Sequence, residues 1–159
     1  MHSAYFIGEV RVLWRKQEGP DRLMELLEDF TFVDPNAKQW VAPKGRQIDG
    51  ASIPRILWTI AGDPFIGDYR RASVLHDVAC VDKTEPHKSV HRMFYDAMIC
   101  DGVDREAAVK FYAAVRLFGP KWSTETGSDE MMYVLGPRVA PPVPDIEQVA
   151  AALDAVLQE

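Results

Sequence analysis

The apolar period of the chain changes once, around Pro54, and that switch constrains the fold more than any other feature. Before it, the sequence reads as short extended runs. The stretch "YFIGEVRVLWR" at 5–15 is rich in aromatic and β-branched residues and predicts a strand. Further on, "FTFV" alternates like a strand, whereas the run leading into it from Arg22 has helical character. "WVAP" and "KGRQI" carry the β-rich part to Asp49, with "EGPD" and "DPNAKQ" as turns between the runs. After the switch the spacing is helical. "PRILWTIAG" opens on proline and closes on glycine. Over 67–83, Asp68 is the candidate cap, and Ala72, Leu75 and Ala79 fall at helical spacing. Over 85–102, Val90, Phe94 and Met98 form a stripe between Pro86 and Gly102. Over 104–119, Asp104 is the N-cap and Gly119 the stop. The last two helices are joined tightly enough to be packed neighbours. Strands followed by helices predict an α+β fold. The expected form is a β-rich N-terminal third followed by a helical bundle with an antiparallel helix pair.

A chain of 159 residues fits one ordinary domain with a real core. That domain is expected over 1–135. "GPRVAPPVPD" reads as a stiff Pro-rich linker and "IEQVAAALDAVLQE" as a short helix, so 136–159 is expected to be an arm. The formal net charge is −6, which leaves no broad basic footprint and argues against general nucleic-acid binding. No secretory signal is visible, and no apolar run approaches the roughly 18 residues of a membrane span. Two cysteines, Cys80 and Cys100, are too few for a disulfide framework, and reduced thiols are the expectation.

Chemistry-bearing residues concentrate around the switch. His76, His87 and His91 lie on two successive helices, and His76 is followed directly by Asp77. Asp49 precedes the small residues Gly50, Ala51 and Ser52, which let a backbone approach closely. Asp49 from the loop and Asp77 from the helix are candidate ligands for a hard cation such as calcium, which takes oxygen donors. A second metal reading uses His76-x3-Cys80 and His87-x3-His91, each pair on one helix face, and suits zinc. Structural readings stand beside both. Asp-Gly is a common turn, and an Asp before a helix is often a cap. A histidine on an apolar stripe is often a satisfied core residue. Ser52 reads as an N-cap rather than a nucleophile, because no G-x-S-x-G surrounds it.

"IDGASIPRILW", "VLHDVAC", "HRMFYDAM" and "FYAAVRLFG" occur in this order. Together they resemble the phage- and prophage-encoded domain of unknown function number 1353, over about positions 22–119. That family shows T-D-G-A-S-x-P-R, then L-H-D, then A-D-x-x-F-x-x-A-M. The resemblance implies a viral or prophage origin and no established activity. More distantly, the order D-G-x-S, then H-D on a helix, is similar to prokaryotic phospholipases of the A-two class. That likeness implies Asp49 and Asp77 as calcium ligands and His76 as general base. The position that orients the base falls on His91, where those enzymes carry an Asp, and Cys80 is shifted from their H-D-x-C-Y. The implied function is a metal-dependent hydrolase acting on a lipid or cell-envelope ester or amide bond as a phage enters or lyses its host. His76 and His91 are its expected catalytic residues, with calcium before zinc as the ion. The alternative is a virion or tail-associated structural protein in which the cluster is a clasp and the arm binds other virion proteins or a second copy. The expected location is the virion or the cytoplasm of a bacterial host.

Overall fold

A computed structural model of the chain describes residues 3–15, 23–49 and 69–123. The helix expected after Pro54, the loop Gly50–Ser52, Asp68, the Pro-rich linker and the C-terminal helix lie outside the described residues. The architecture is mixed α+β, with strands first and helices after.

Among the described residues, six short strands make two antiparallel sheets. One contains β1 (Tyr5–Ile7), β4 (Phe30–Val33) and β5 (Gln39–Ala42), in the order β1-β4-β5. The other contains β2 (Val12–Arg15), β3 (Leu23–Leu26) and β6 (Gln47–Ile48), in the order β2-β3-β6. The run expected as one strand over 5–15 is therefore two, in different sheets. Gly8 makes the break at φ +83, and a Cβ there would meet the carbonyl oxygen of Asp29 at 2.9 Å. Only glycine fits that crossing without strain.

"LMEL", which has helical character in the sequence, is strand β3. Met24 and Leu26 are buried while Leu23 and Glu25 are half-buried, a two-residue period. Neighbours on both sides complete its backbone pairing: Leu26 faces Val12, and Met24 faces Ile48. Tertiary pairing here overrides the helix preference of leucine, methionine and glutamate. The turn after β4 is held by Asp34. Its Oδ1 accepts the amides of Asn36 at 2.8 Å and Lys38 at 3.0 Å, and its Oδ2 accepts the Trp40 indole N–H at 3.0 Å.

Three helices follow among the described residues: α1 (Arg70–Asp82), α2 (His87–Cys100) and α3 (Arg105–Phe118). Each falls inside the range expected from the sequence. Asp104 caps α3 as expected, its carboxylate accepting the amides of Glu106 at 2.9 Å and Ala107 at 3.2 Å. Helix α1 starts at Tyr69 without a side-chain cap. It packs against α2 and against β4, β5 and β6, while α3 packs on α2. Every residue from Ala72 to Val78 is buried, which is what a helix covered on several sides requires. The core joins Phe30, Phe32, Leu26 and Ile48 of the sheets to Val74, Leu75, Val90, Phe94 and Phe111 of the helices. An Arg46–Asp82 ion pair ties the approach to β6 to the end of α1. The chain thus leaves the last strand beside the helix that carries the histidine–aspartate step.

Candidate metal centre

Helical geometry places residues four apart on one face, so His76 and Cys80 of α1 point the same way. Their separation is 3.6 Å from Cys80 Sγ to His76 Nε2 and 3.8 Å to Nδ1. Helix α2 brings His91 to the same spot, with its Nδ1 2.9 Å from His76 Nε2. Phe94, one turn further along α2, stacks at 4.7 Å from the His76 ring and seals that side. Both histidines are 0% exposed and Cys80 is buried. The donor atoms of His76, Cys80 and His91 all lie within 4.8 Å of one another. Among the described residues this is the only such group of three or more His, Cys, Asp or Glu side chains.

The protons can be assigned from the partners. His91 Nε2 lies 3.2 Å from the carbonyl oxygen of Pro120, and a carbonyl only accepts. His91 therefore carries its proton on Nε2 and presents a lone pair at Nδ1. His76 must then donate from Nε2 into that lone pair. Both rings are neutral in this arrangement, and burial enforces it. Desolvation holds His76 well below the ordinary histidine range, with the neighbouring His91 adding to the effect. Desolvation also takes His91 from 6.5 down to about 4. The Pro120 carbonyl opposes that drop, while His87, Arg116 and Lys121 reinforce it. Neutral imidazole is the form that ligates a metal.

Distances can be set against coordination geometry. Tetrahedral zinc bonds place two nitrogens roughly 3.3 Å apart and nitrogen and sulfur roughly 3.6 Å apart. The Cys80–His76 spacing already matches. The His76–His91 spacing must open by a few tenths of an ångström, as expected when an ion replaces the shared proton. His91 already has its lone pair facing inward, and the Pro120 carbonyl, accepting from the other ring nitrogen, fixes that tautomer from outside.

The segment after α3 straps over this centre. Trp122 donates its indole N–H to the carbonyl of Glu85 at 2.7 Å, and its own carbonyl lies 2.6 Å from His87 Nδ1. Its ring packs edge-on against His87 and His91 at 5.8 and 6.2 Å. His87 Nδ1 also lies 3.4 Å from the Trp122 amide, but one nitrogen cannot donate and accept at once, and the shorter contact identifies it as the donor. His87 therefore binds the strap, outside the group of three donors. The sequence spacing marked His76, Cys80, His87 and His91; Pro120 and Trp122 carry no motif and are visible only in three dimensions.

Asp49 and Asp77 are brought together, but as a clasp. The backbone N–H of Asp49 donates to Asp77 Oδ2 at 3.0 Å, joining the end of β6 to α1. Asp77 is buried and Asp49 half-buried. This contact pairs a carboxylate with a backbone amide, and calcium is not indicated by it. The donors that do converge are two nitrogens and a sulfur, a set that suits zinc and its neighbours and not a hard oxygen-seeking cation. Both cysteines are free thiols, as expected.

Residues 24–115, more than half of the chain, match the family described as Protein of unknown function, DUF1353. The chain belongs to this family. The matched region holds Asp49, His76, Asp77, Cys80 and His91, but neither Pro120 nor Trp122. Two relatives come from Sinorhizobium fredii. Uncharacterized protein y4jT is 46% identical over 107 residues, covering 67% of this chain and 32% of the relative. Uncharacterized protein y4iH is 40% identical over 97 residues, covering 61% of this chain and 41% of the relative. The chain thus spans well under half the length of these relatives. No solved structure matches it. No described helix is long and apolar enough to cross a membrane.

Proposed function

We propose that this domain is a metal-dependent hydrolase whose ion is held by His76, Cys80 and His91. The observation that carries the reading is the donor count. Among the described residues three protein donors converge, and His87 is turned to the strap. A tetrahedral ion with three protein ligands keeps one position for water or substrate, whereas purely structural zinc sites use four. Zinc in such a setting lowers the pKa of its water to about 7 and polarises a carbonyl, which is the chemistry of ester and amide hydrolysis. Neutral histidines and a thiol need only lose the Cys80 proton and shift the His76 proton to Nδ1 to receive the ion. Asp77, next to His76, accepts the Asp49 amide and ties α1 to the end of β6. The sequence likeness to lipid-cleaving enzymes favours an ester in a lipid or envelope polymer as the bond cut.

The test is a titration of metal-free protein with zinc and with cobalt, paired with ester and amide hydrolysis. One equivalent of metal should bind, raise the melting temperature and, with cobalt, give a thiolate charge-transfer band. Cys80→Ser and His91→Ala should lose all three responses. Hydrolysis should track metal content. Tight binding without any hydrolysis would leave a structural centre and end the enzyme reading. No binding would end both.

A further inference from the structure

On the solvent side of α2 lies an open cleft of about 520 Å³, a volume in the range of small-molecule sites. It is built by elements distant in sequence: the β4–β5 turn supplies Lys38, β5 supplies Trp40, α2 supplies Lys88, Ser89 and Arg92, and α3 supplies Tyr112 and Arg116. In a chain of net charge −6, these cations meet in one place. Two acids, Asp34 and Asp96, share the lining, and their partners limit what they oppose. Asp34 is saturated by the three N–H groups of its turn. Glu85 pairs with Lys38 at 2.6 Å. Asp96 takes only the Nε of Arg92, at 3.1 Å, and its burial raises its pKa.

Two cations keep their capacity. Lys88 has no ion-pair partner among the described residues, and the two terminal nitrogens of Arg92 make no hydrogen bond among them. They sit one helical turn apart on α2, with the Ser89 hydroxyl beside them. A planar carboxylate uses one fork of an arginine; a tetrahedral phosphoryl group offers three oxygens to donors arriving from different directions, which is what an arginine fork, an ammonium and a hydroxyl provide. The cleft is larger than a bare phosphate. Tyr112 contributes an aromatic wall, its hydroxyl accepting from Arg116 at 2.8 Å. We infer that this cleft binds the phosphoryl group of a phosphomonoester, with Lys88 and Arg92 as its principal contacts. The inference stands apart from the metal reading and is tested on metal-free protein.

The experiment is calorimetric titration of the full chain at low ionic strength with inorganic phosphate and with glycerol phosphate, alongside sedimentation with phosphatidylcholine vesicles containing phosphatidic acid. Saturable binding in either arm is expected. Lys88→Gln should weaken it about tenfold, and the Lys88→Gln, Arg92→Gln pair should remove it. Lys110→Gln, a substitution on α3 outside the cleft, should leave it unchanged. Binding of soluble esters makes the ligand a free metabolite; binding confined to vesicles makes it a lipid headgroup. Both outcomes support the site when they depend on Lys88 and Arg92. The proposal is overturned if no phosphoryl compound binds, if chloride at matched ionic strength does the same, or if binding survives the double substitution. Lys88 is exposed, so its single variant reports on binding even if the pair proves unstable.

Discussion

The two sides of α2 hold opposite chemistry one residue apart. His91 faces inward, fully buried and neutral, toward two other soft donors. Arg92 faces the cleft, exposed and charged. The difference lies in access to water and not in the helix. Burial makes protonation expensive and leaves lone pairs for a metal. Exposure keeps ammonium and guanidinium charged and leaves donors for an anion. A single amphipathic helix thus presents a buried neutral face and an exposed charged one.

The sharpest way to break this contrast is at the sulfur. Replacing Cys80 with Ser removes the thiolate, and zinc affinity, measured by chelator competition, should fall on the order of 100-fold or more. Phosphate binding in the cleft should not move. An unchanged zinc affinity would mean that the inner face is only a polar core.

A second test uses acid. Between about pH 6.5 and 4 the unfolded chain binds protons that folded His91 refuses. Stability of the metal-free protein should therefore be complete above pH 6.5 and should fall as pH drops toward 4. His91 alone contributes roughly 2–3 kcal/mol to that loss. His91→Gln should make the profile shallower in denaturant melts, and the His76→Gln, His91→Gln pair should flatten it, because burial holds His76 low as well. The lysines and arginines of the outer side do not titrate in this window, so a profile that persists in the pair would shift the cause away from the inner face.

The strap gives a smaller effect. Trp122→Phe deletes the indole donor to Glu85 and should cost about 1 kcal/mol in thermal melts. It should also weaken zinc roughly tenfold by loosening the Pro120 carbonyl over His91. A stability loss with zinc affinity intact would make Trp122 a packing residue only. Smallest of all is Lys110→Gln, which removes an exposed pair with Glu106 on α3. Its effect on the melt should stay within about 0.5 kcal/mol, and a larger value would show that charge on the outer surface matters more to the fold than the contrast allows.

Much of this could be read from one-dimensional pattern. The three helices are marked by apolar stripes, by Asp104 and by Gly102 and Gly119, and the i, i+4 pairing of His76 with Cys80 is a spacing. The split at Gly8 was not legible, because its cause is a carbonyl of Asp29, in a different strand connection. Nor was β3, whose leucine-rich segment becomes a strand only once β2 and β6 flank it. At the site, the histidines were visible and their donors' company was not. Asp77 was visible beside His76, but the backbone amide it accepts from is one that no residue type announces. The Pro120 carbonyl is equally silent, since every residue has one.

The placement of that carbonyl has an evolutionary side. The donor triad lies within the region that defines the family, while the oxygen setting the His91 tautomer lies downstream of it. Ligand identity and ligand basicity are therefore written in separate stretches of chain. If the centre holds a metal as proposed, substitutions in the short segment after α3 would retune its grip while every donor stays in place.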